Sequence, residues 1–209
     1  MTTICWDVDT QVDFIHPDGA LAVPGAEAIV PQLRLLTEWA HRTNTRIVAT
    51  ADDHDLGHAE ISDHPDGITT YPPHCMRGTP GQLKIPATAS RDPLVIHAVP
   101  HDATALGQTV REHRGDFLLN KPGVDVFRWN PNATTVLAAL APARVILYGV
   151  ATDICVLAAV NGLLRLVPHA ELVIVRDAVR ALTDAAGQTL LAEWAERGAL
   201  LMTAAEITE

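Results

Sequence analysis

Residues 144–155 read Arg-Val-Ile-Leu-Tyr-Gly-Val-Ala-Thr-Asp-Ile-Cys, and this stretch decides the fold class. Its first five residues have the composition of a buried β-strand, which stops at Gly149. A helical pattern begins at Asp153, so Cys155 lies in the first turn of the predicted helix. Unpaired N–H groups and the helix dipole stabilise negative charge there, which biases a thiol toward thiolate. Cys155 is therefore either a candidate nucleophile or a buried small hydrophobic residue.

The rest of the chain repeats this alternation of strand and helix. Strand patterns lie at residues 3–8, 46–50, 93–97, 116–120, 144–148 and 172–175. Helical patterns lie at residues 27–42, 103–113, 132–140, 153–166 and 183–197. Alternation of this kind predicts a Rossmann-like, three-layer α/β/α fold with a six-stranded parallel sheet that is covered on both faces. We expect residues 1–209 to form a single domain.

Two further reactive side chains follow predicted strands. Asp9 comes just after the first strand, and Lys121 directly follows the strand pattern at residues 116–120. In an open α/β sheet, ligands bind at the carboxyl ends of the strands, so both side chains would meet Cys155 at one edge. A carboxylate can take a thiol proton, and an ammonium can stabilise the charges. Each residue alone could be a capping or solvated side chain, but together they form a candidate site for acyl transfer.

Several short motifs, taken in their order along the chain, resemble those of the nicotinamidase and isochorismatase-like cysteine hydrolases. The motifs are Asp9-Thr10-Gln11-Val12-Asp13-Phe14, Asp52-Asp53-His54, Pro72-Pro73-His74-Cys75 with Gly78-Thr79-Pro80-Gly81 behind it, Lys121, and Gly149-Val150-Ala151-Thr152-Asp153-Ile154-Cys155. The set spans most of the chain and is specific, whereas any one motif would be a weak signal. The resemblance implies an isochorismatase-like fold.

The resemblance also implies a role for the matching residues. Asp9, Lys121 and Cys155 would form a catalytic triad, and the peptide between Val150 and Ala151 would be cis. The backbone N–H groups of Ala151 and Cys155 would form the oxyanion hole. Cys155 would attack an amide carbonyl and form a thioester, Asp9 would protonate the departing amine, and a water activated by Asp9 would hydrolyse the thioester.

A candidate metal site lies in the stretch of residues 50–81. It overlaps residues 53–89, which are rich in Pro, Gly, Asp and His and break the alternation. Asp52 and His54 are two residues apart, so in an extended chain they project to one side. With His74 they offer one carboxylate and two imidazoles, a set that suits Zn²⁺ and would also accept Fe²⁺ or Mn²⁺. The residue types alone favour a solvated loop, and the resemblance favours the metal. Three more residues are left open as ligands: His58, Glu60 and Cys75.

Two aromatic residues match motif positions that hold the substrate in the resembling nicotinamidases. Phe14 and Tyr71 would stack a flat ring there, and the ion would bind the ring nitrogen. The chain departs from the nicotinamidase pattern after Lys121, where a Glu-Ala-Tyr-Ser-like stretch is missing, and at Ile154, where several nicotinamidases carry histidine. The departures leave the residues for amide hydrolysis in place and leave the identity of the amide open.

Composition limits the partners and the compartment. The formal net charge of −10 argues against general affinity for nucleic acid or for an anionic membrane. Three widely separated cysteines do not suit a disulfide framework and fit a reducing cytoplasm. The sequence shows neither a membrane-spanning apolar segment nor a signal peptide, so we expect a cytoplasmic enzyme. Its partners would be a small-molecule amide substrate and further copies of the chain in a homo-oligomer.

These observations predict a cysteine-dependent amidohydrolase that cleaves the C–N bond of a small amide through a thioester, with nicotinamide as the leading substrate. One alternative is another linear or cyclic amide, such as a carbamoyl compound, a maleamate-like acid or an antibiotic lactam. A second is isochorismatase-type hydrolysis of a vinyl ether, which needs neither a cysteine nucleophile nor this metal trio. A non-catalytic partner subunit is disfavoured, because Asp9, Lys121 and Cys155 are all present.

Overall fold

A computed structural model describes residues 2–209 and shows a three-layer α/β/α architecture. The strands of the described chain are β1 Thr3–Val8, β2 Arg46–Asp52, β3 Leu94–Ile96, β4 Phe117–Lys121, β5 Arg144–Val150, β6 Glu171–Arg180 and β7 Leu200–Met202. Within residues 2–209, these seven strands form one parallel sheet in the order β3-β4-β2-β1-β5-β6-β7. The predicted α/β/α class and parallel sheet are confirmed, and the predicted number of strands is corrected from six to seven.

Two strands differ from the sequence pattern for physical reasons. The pattern misses β7 because this edge strand has only three residues, pairs only with β6 and leaves Leu200 44% exposed. The pattern at residues 172–175 underestimates β6, which continues through the charged residues Arg176 and Asp177 and pairs Val179 with β5. The three apolar residues of β7 are too few for periodicity to detect, and β6 continues beyond its apolar run into charged residues.

Helices cover both faces of the sheet, as the alternation predicts. They are α1 Val12–Ile15, α2 Val30–Thr43, α3 Ala103–Glu112, α4 Val126–Trp129, α5 Ala133–Leu140, α6 Leu157–Leu166, α7 Asp184–Glu196 and α8 Ala204–Thr208. Helices α3, α5, α6 and α7 contribute to the core on one face, and α2 and α8 to the core on the other. Among the described residues, no helix has the length and apolar character needed to cross a membrane.

Strand β1 shows how the sheet separates these two cores. Ile4, Trp6 and Val8 belong to the core beneath α3, α5, α6 and α7, whereas Cys5 belongs to the core beneath α2. This division follows from the two-residue period of a strand, which turns alternate side chains to opposite faces. Both faces of β1 are buried, which explains why the strand reads as an almost continuous apolar run.

The turn after β5 departs from a simple helix start. Gly149 has φ 120°, in the left-handed region that favours glycine, and a Cβ there would collide with the carbonyl group of Val8 on β1. The peptide bond between Val150 and Ala151 is cis, as the resemblance implies. Residues Thr152–Val156 then form a π-helical turn before α6 begins. The predicted helix over residues 153–166 therefore starts as a π turn, and Cys155 lies in that turn rather than in the first turn of an α-helix.

Candidate active site

The carboxyl ends of β4, β2, β1 and β5, which are neighbours in the sheet, carry the predicted site residues. Lys121 and Asp52 end β4 and β2 and are register partners. Asp9 directly follows β1, and Cys155 lies in the π turn after β5. The chain order reverses beside β1, and ligands of open α/β sheets bind at such points. The structure thus brings the three predicted triad residues together at one edge of the sheet.

Lys121 is the centre of this cluster, and its side chain is buried. Its Nζ lies 2.9 Å from Asp9 Oδ2 and 3.7 Å from Cys155 Sγ, and it donates a hydrogen bond to Asp52 Oδ1. Burial lowers the pKa of Lys121, but the charges of Asp52 and Asp9 outweigh burial and raise that pKa well above its ordinary value. Lys121 therefore stays protonated and balances carboxylate charge inside the site.

The Cys155 thiol is protonated in the resting site. Burial raises the pKa of Cys155, and although Lys121 lowers it, the charges of Asp9 and Asp52 and a hydrogen bond to Asp9 raise it further. The expected bias of Cys155 toward thiolate is therefore wrong for the resting protein. Burial and two carboxylates raise the pKa of Cys155 by more than one ammonium and the start of the helix lower it. A thiol beside a carboxylate can still lose its proton during attack, by passing it to Asp9.

Asp9 lies where β1 leaves the sheet, and both of its carboxylate oxygens have polar neighbours. Its φ of 50° is in the left-handed region, which aspartate tolerates better than most residues. Asp9 Oδ1 accepts a hydrogen bond of 2.6 Å from Thr50 Oγ1, and Oδ2 faces Lys121. Sequence reasoning missed Thr50, and the only signal for it is its position near the end of the strand beside β1.

Asp52 turns its other oxygen, Oδ2, toward two histidines. Oδ2 lies 3.7 Å from His54 Nε2 and 3.6 Å from His74 Nε2, and the two imidazole centroids are 4.6 Å apart. Glu60 joins this group, because one ligand atom from each of the four residues lies within 4.8 Å of the others. Of the residues left open as ligands, His58 instead pairs with Asp55, and Cys75 Sγ contacts the Gly81 carbonyl.

The hydrogen bonding of these residues fits metal ligands. His74 Nδ1 lies 2.8 Å from the Pro72 carbonyl, which can only accept, so Nδ1 carries a proton and the neutral ring offers the Nε2 lone pair to an ion. His54 is fully buried, and within residues 2–209 neither of its ring nitrogens has a hydrogen-bond partner. Such orphaned nitrogens need an explanation, and an ion would satisfy one of them. Burial raises the pKa of Asp52, but Lys121 and the two histidines hold it below its usual range, so the carboxylate is ionised.

An apolar pocket opens between the cysteine and this histidine cluster. Its walls include Cys155 and Ala151 and, from the histidine cluster, Asp52, Glu60 and His74. The remaining walls are Phe14, Leu21, Ala22, Val23, Tyr71, Val124, Val150, Ile154 and Leu182. The pocket walls within the described chain include no Arg or Lys.

Of the predicted substrate residues, Phe14 and Tyr71 both line this pocket. Their ring centroids lie 5.5 and 6.1 Å from that of His74, so aromatic surface and the histidine cluster meet in one space. Sequence reasoning missed the wall residues Leu21, Val124 and Leu182. They are aliphatic loop residues with no chemical signature, and only the fold brings them to the site.

A second buried ion pair lies near the site but has its own partners. Asp7 Oδ2 is 2.9 Å from Lys84 Nζ, and Asp7 Oδ1 accepts a hydrogen bond of 2.9 Å from Thr10 Oγ1. Burial raises the pKa of Asp7 despite the opposing effects of Lys84 and Thr10. Asp7 thus contacts Lys84 and Thr10, whereas Asp9 contacts the Lys121 cluster.

Comparisons with known proteins show the family to which the chain belongs. The isochorismatase domain family matches residues 4–206. A nicotinamidase/pyrazinamidase from Mycobacterium tuberculosis is 32% identical over 153 residues, which cover 71% of this chain and 72% of that protein. The structure of a pyrazinamidase from Pyrococcus horikoshii in complex with zinc has a TM-score of 0.74 at 24% identity, over 97% of this chain and 99% of that chain.

A second solved structure, the N-carbamoylsarcosine amidase from Thermoplasma acidophilum, has a TM-score of 0.70 at 25% identity, over 98% of this chain and 97% of that chain. The similar proteins therefore include hydrolases that are named for different amides. The match to the isochorismatase domain family spans almost all of the sequence. On this evidence the chain belongs to the isochorismatase family of hydrolases.

Proposed function

We propose that this chain is an amidase that hydrolyses a small, neutral amide, with nicotinamide and pyrazinamide as the leading substrates. One observation carries the proposal: the cluster of Asp9, Lys121 and Cys155 presents Cys155 to an apolar pocket, and side chains of the metal-ligating group line the same pocket. The nicotinamidase and pyrazinamidase relatives support it.

In the proposed reaction, Cys155 Sγ attacks the amide carbonyl carbon while Asp9 takes the thiol proton. Lys121 stays protonated and stabilises the negative charge that moves between them. The N–H groups of Ala151 and Cys155 would receive the oxyanion of the tetrahedral intermediate. Asp9 then donates its proton to the departing nitrogen, and a thioester and an amine form. Asp9 next removes a proton from water, which attacks the thioester, and the carboxylic acid leaves as the thiol is restored.

The metal-ligating residues would serve recognition of the substrate. Asp52, His54, Glu60 and His74 would hold a divalent ion, and the Asp52 carboxylate is also paired with Lys121. A bound ion would supply an electrophilic contact for a lone pair on the substrate. Phe14 and Tyr71 would contact the faces of a flat acyl group. The P. horikoshii pyrazinamidase, which was solved with zinc, supports this assignment.

The charge balance of the site favours a neutral substrate. Asp9, Asp52 and Glu60 carry three negative charges when ionised, and Lys121 with a divalent ion would carry three positive charges. No positive charge is then left over for a carboxylate on the substrate. A maleamate-like acid, a carbamoyl amino acid and isochorismate are all anions, and burying an unpaired anion against apolar walls is costly.

A panel of amides tests this substrate assignment. We expect ammonia release from nicotinamide and pyrazinamide, and at least about 10²-fold lower kcat/KM for benzamide, because a site built around a polar contact rejects an analogue that lacks it. Maleamate should react poorly because it is an anion. Faster turnover of maleamate or of an N-carbamoyl amino acid than of either ring amide would contradict the neutral substrate and would leave the cysteine chemistry intact.

Metal analysis tests the histidine cluster. Protein purified without chelator should contain about one divalent ion per chain, and His54→Ala should lose it, because three of the proposed ligands cannot hold the ion as tightly as four. His54→Ala is preferred to Asp52→Ala, because Asp52 also pairs with Lys121 and its loss would disturb the catalytic cluster as well as the ion. His58→Ala is the matched control and should keep the ion, because His58 pairs with Asp55. A metal-free protein with full activity would remove the ion from the proposal.

A further inference from the structure

Gln11 places its side-chain amide across a gap between β1 and β2 at the edge of the sheet that carries the site. Strand β1 pairs with β2 as far as Val8 and Thr50, and the chain then turns away at Asp9. Beyond that point, Gln11 Oε1 accepts a hydrogen bond of 2.7 Å from the Asp52 N–H. Gln11 Nε2 donates one of 2.8 Å to the Asp52 carbonyl.

The amide therefore takes the place of a strand partner for Asp52. On its other side, Asp52 is the register partner of Lys121 in β4. The Asp53 N–H donates to the Lys121 carbonyl on the β4 side, so the chain at Asp52 is held by Gln11 on one side and by β4 on the other, although β1 has already ended. Asp52 is buried, so its backbone groups could not turn to water for replacement hydrogen bonds. Gln11 Nε2 also donates to the Gln82 carbonyl at 2.7 Å, which fixes the amide plane.

Glutamine has the donors and the acceptor that the hydrogen bonds at position 11 require. The side chain is fully buried, and its three hydrogen bonds use one acceptor and both amide hydrogens. Glutamate has the same length but would place a carboxylate oxygen against the carbonyl oxygens of Asp52 and Gln82. Leucine would leave both backbone groups of Asp52 without partners on that side.

We propose that Gln11 is a positioning residue that holds the Asp52 carboxylate between Lys121 and the two histidines, and that it thereby sets the metal affinity of the site. The inference rests on the proposed function, because it requires Asp52 to be a metal ligand. Gln11 acts only through the backbone of Asp52. Removal of such an outer contact typically weakens metal binding by about 10–100-fold.

The test measures the zinc dissociation constant of metal-stripped, full-length protein by competition with a chromophoric chelator. Gln11→Leu and Gln11→Glu should each weaken zinc binding by about 10–100-fold. Gln82→Leu is the matched control and should leave the constant unchanged. The Gln82 side chain bonds to Gly78 and Asp53. Gln82→Leu removes those bonds but retains the Gln82 backbone carbonyl, which accepts the hydrogen bond from Gln11.

Thermal unfolding of the same variants separates positioning from a structural role. If Gln11→Leu fails to fold, Gln11→Glu carries the test, because it preserves the shape of the side chain. A lower unfolding temperature for Gln11→Glu with an unchanged zinc constant would overturn the inference. Wild-type protein that binds no zinc would overturn the metal centre of the proposed function and this inference with it. Wild-type binding together with equal binding by Gln11→Glu would overturn the inference alone.

Discussion

Cys155→Ala is expected to abolish amide hydrolysis and to lower kcat by roughly 10⁴–10⁶-fold, the range seen when a triad hydrolase loses its nucleophile or the base beside it. The reason is geometric. Cys155 Sγ lines the pocket and lies 3.7 Å from the Lys121 ammonium. Ammonia release from nicotinamide and pyrazinamide is the measurement. Substantial turnover by the alanine variant would contradict the proposed thioester mechanism.

Cys5→Ala is the matched control for this experiment. Cys5 is buried within β1, in the core on the α2 side of the sheet, whereas Cys155 belongs to the opposite core. Loss of the Cys5 sulfur should reduce packing and leave kcat close to that of the wild type. Brief treatment with iodoacetamide should place the first adduct on Cys155. The rate of Cys155 alkylation should rise with pH, because the raised pKa of Cys155 keeps the thiol protonated at neutral pH and only the thiolate reacts.

Asp9→Asn is expected to lower kcat by about 10²–10⁴-fold, the usual cost of removing an acid–base group. An amide keeps the shape of the side chain but cannot accept the thiol proton or return it to the leaving nitrogen. The metal content should not change, because the histidines and Asp52 are untouched. The measurements are kcat and metal content on the same preparation. Loss of the ion together with activity would mean that Asp9 acts through the metal centre instead.

Asp7→Asn provides the comparison for Asp9→Asn. Asp7 bonds to Lys84 and Thr10, so its neutralisation should leave most of the activity in place. It should instead lower the free energy of unfolding, by up to about 3–5 kcal/mol, because it leaves the buried Lys84 ammonium without its partner. Equal losses of activity in the two variants would mean that the proposed base is the wrong carboxylate or that both carboxylates act together.

The sequence predicts those parts of the fold and site that depend on local pattern. The strand pattern at residues 3–8 matches the bounds of β1, because a strand buried on both faces reads as an apolar run. The other strand patterns likewise predict where β2, β4 and β5 end. Because Asp9, Lys121 and Cys155 lie at or beyond such ends, the sequence also predicts that they lie close together. The trio of Asp52, His54 and His74 is predicted from the resemblance, because the residue types alone would describe a solvated loop.

Other features depend on distant neighbours and escape such reasoning. The protonation of Cys155 depends on its burial beside two carboxylates, which no local pattern encodes. The π turn after β5 and the short edge strand β7 lack an apolar periodicity of their own. Gln11 belongs to a motif that the sequence shows, but its hydrogen bonds to Asp52 require the two strands to be placed. The single domain, the homo-oligomer and the cytoplasmic location stay predictions.

The aliphatic residues of the pocket walls and the reactive residues lie in different parts of the fold. Leu21, Val124 and Leu182 lie in loops, whereas the cysteine, the lysine and the two aspartates sit at or just beyond strands fixed by sheet hydrogen bonds. Mutations in these loops can therefore reshape the space for the acyl group without displacing the nucleophile or the base. Changes confined to these loops would alter which substrate fits and leave the proposed nucleophile and base in place, so a mutant library aimed at new substrates should vary these three loop positions first.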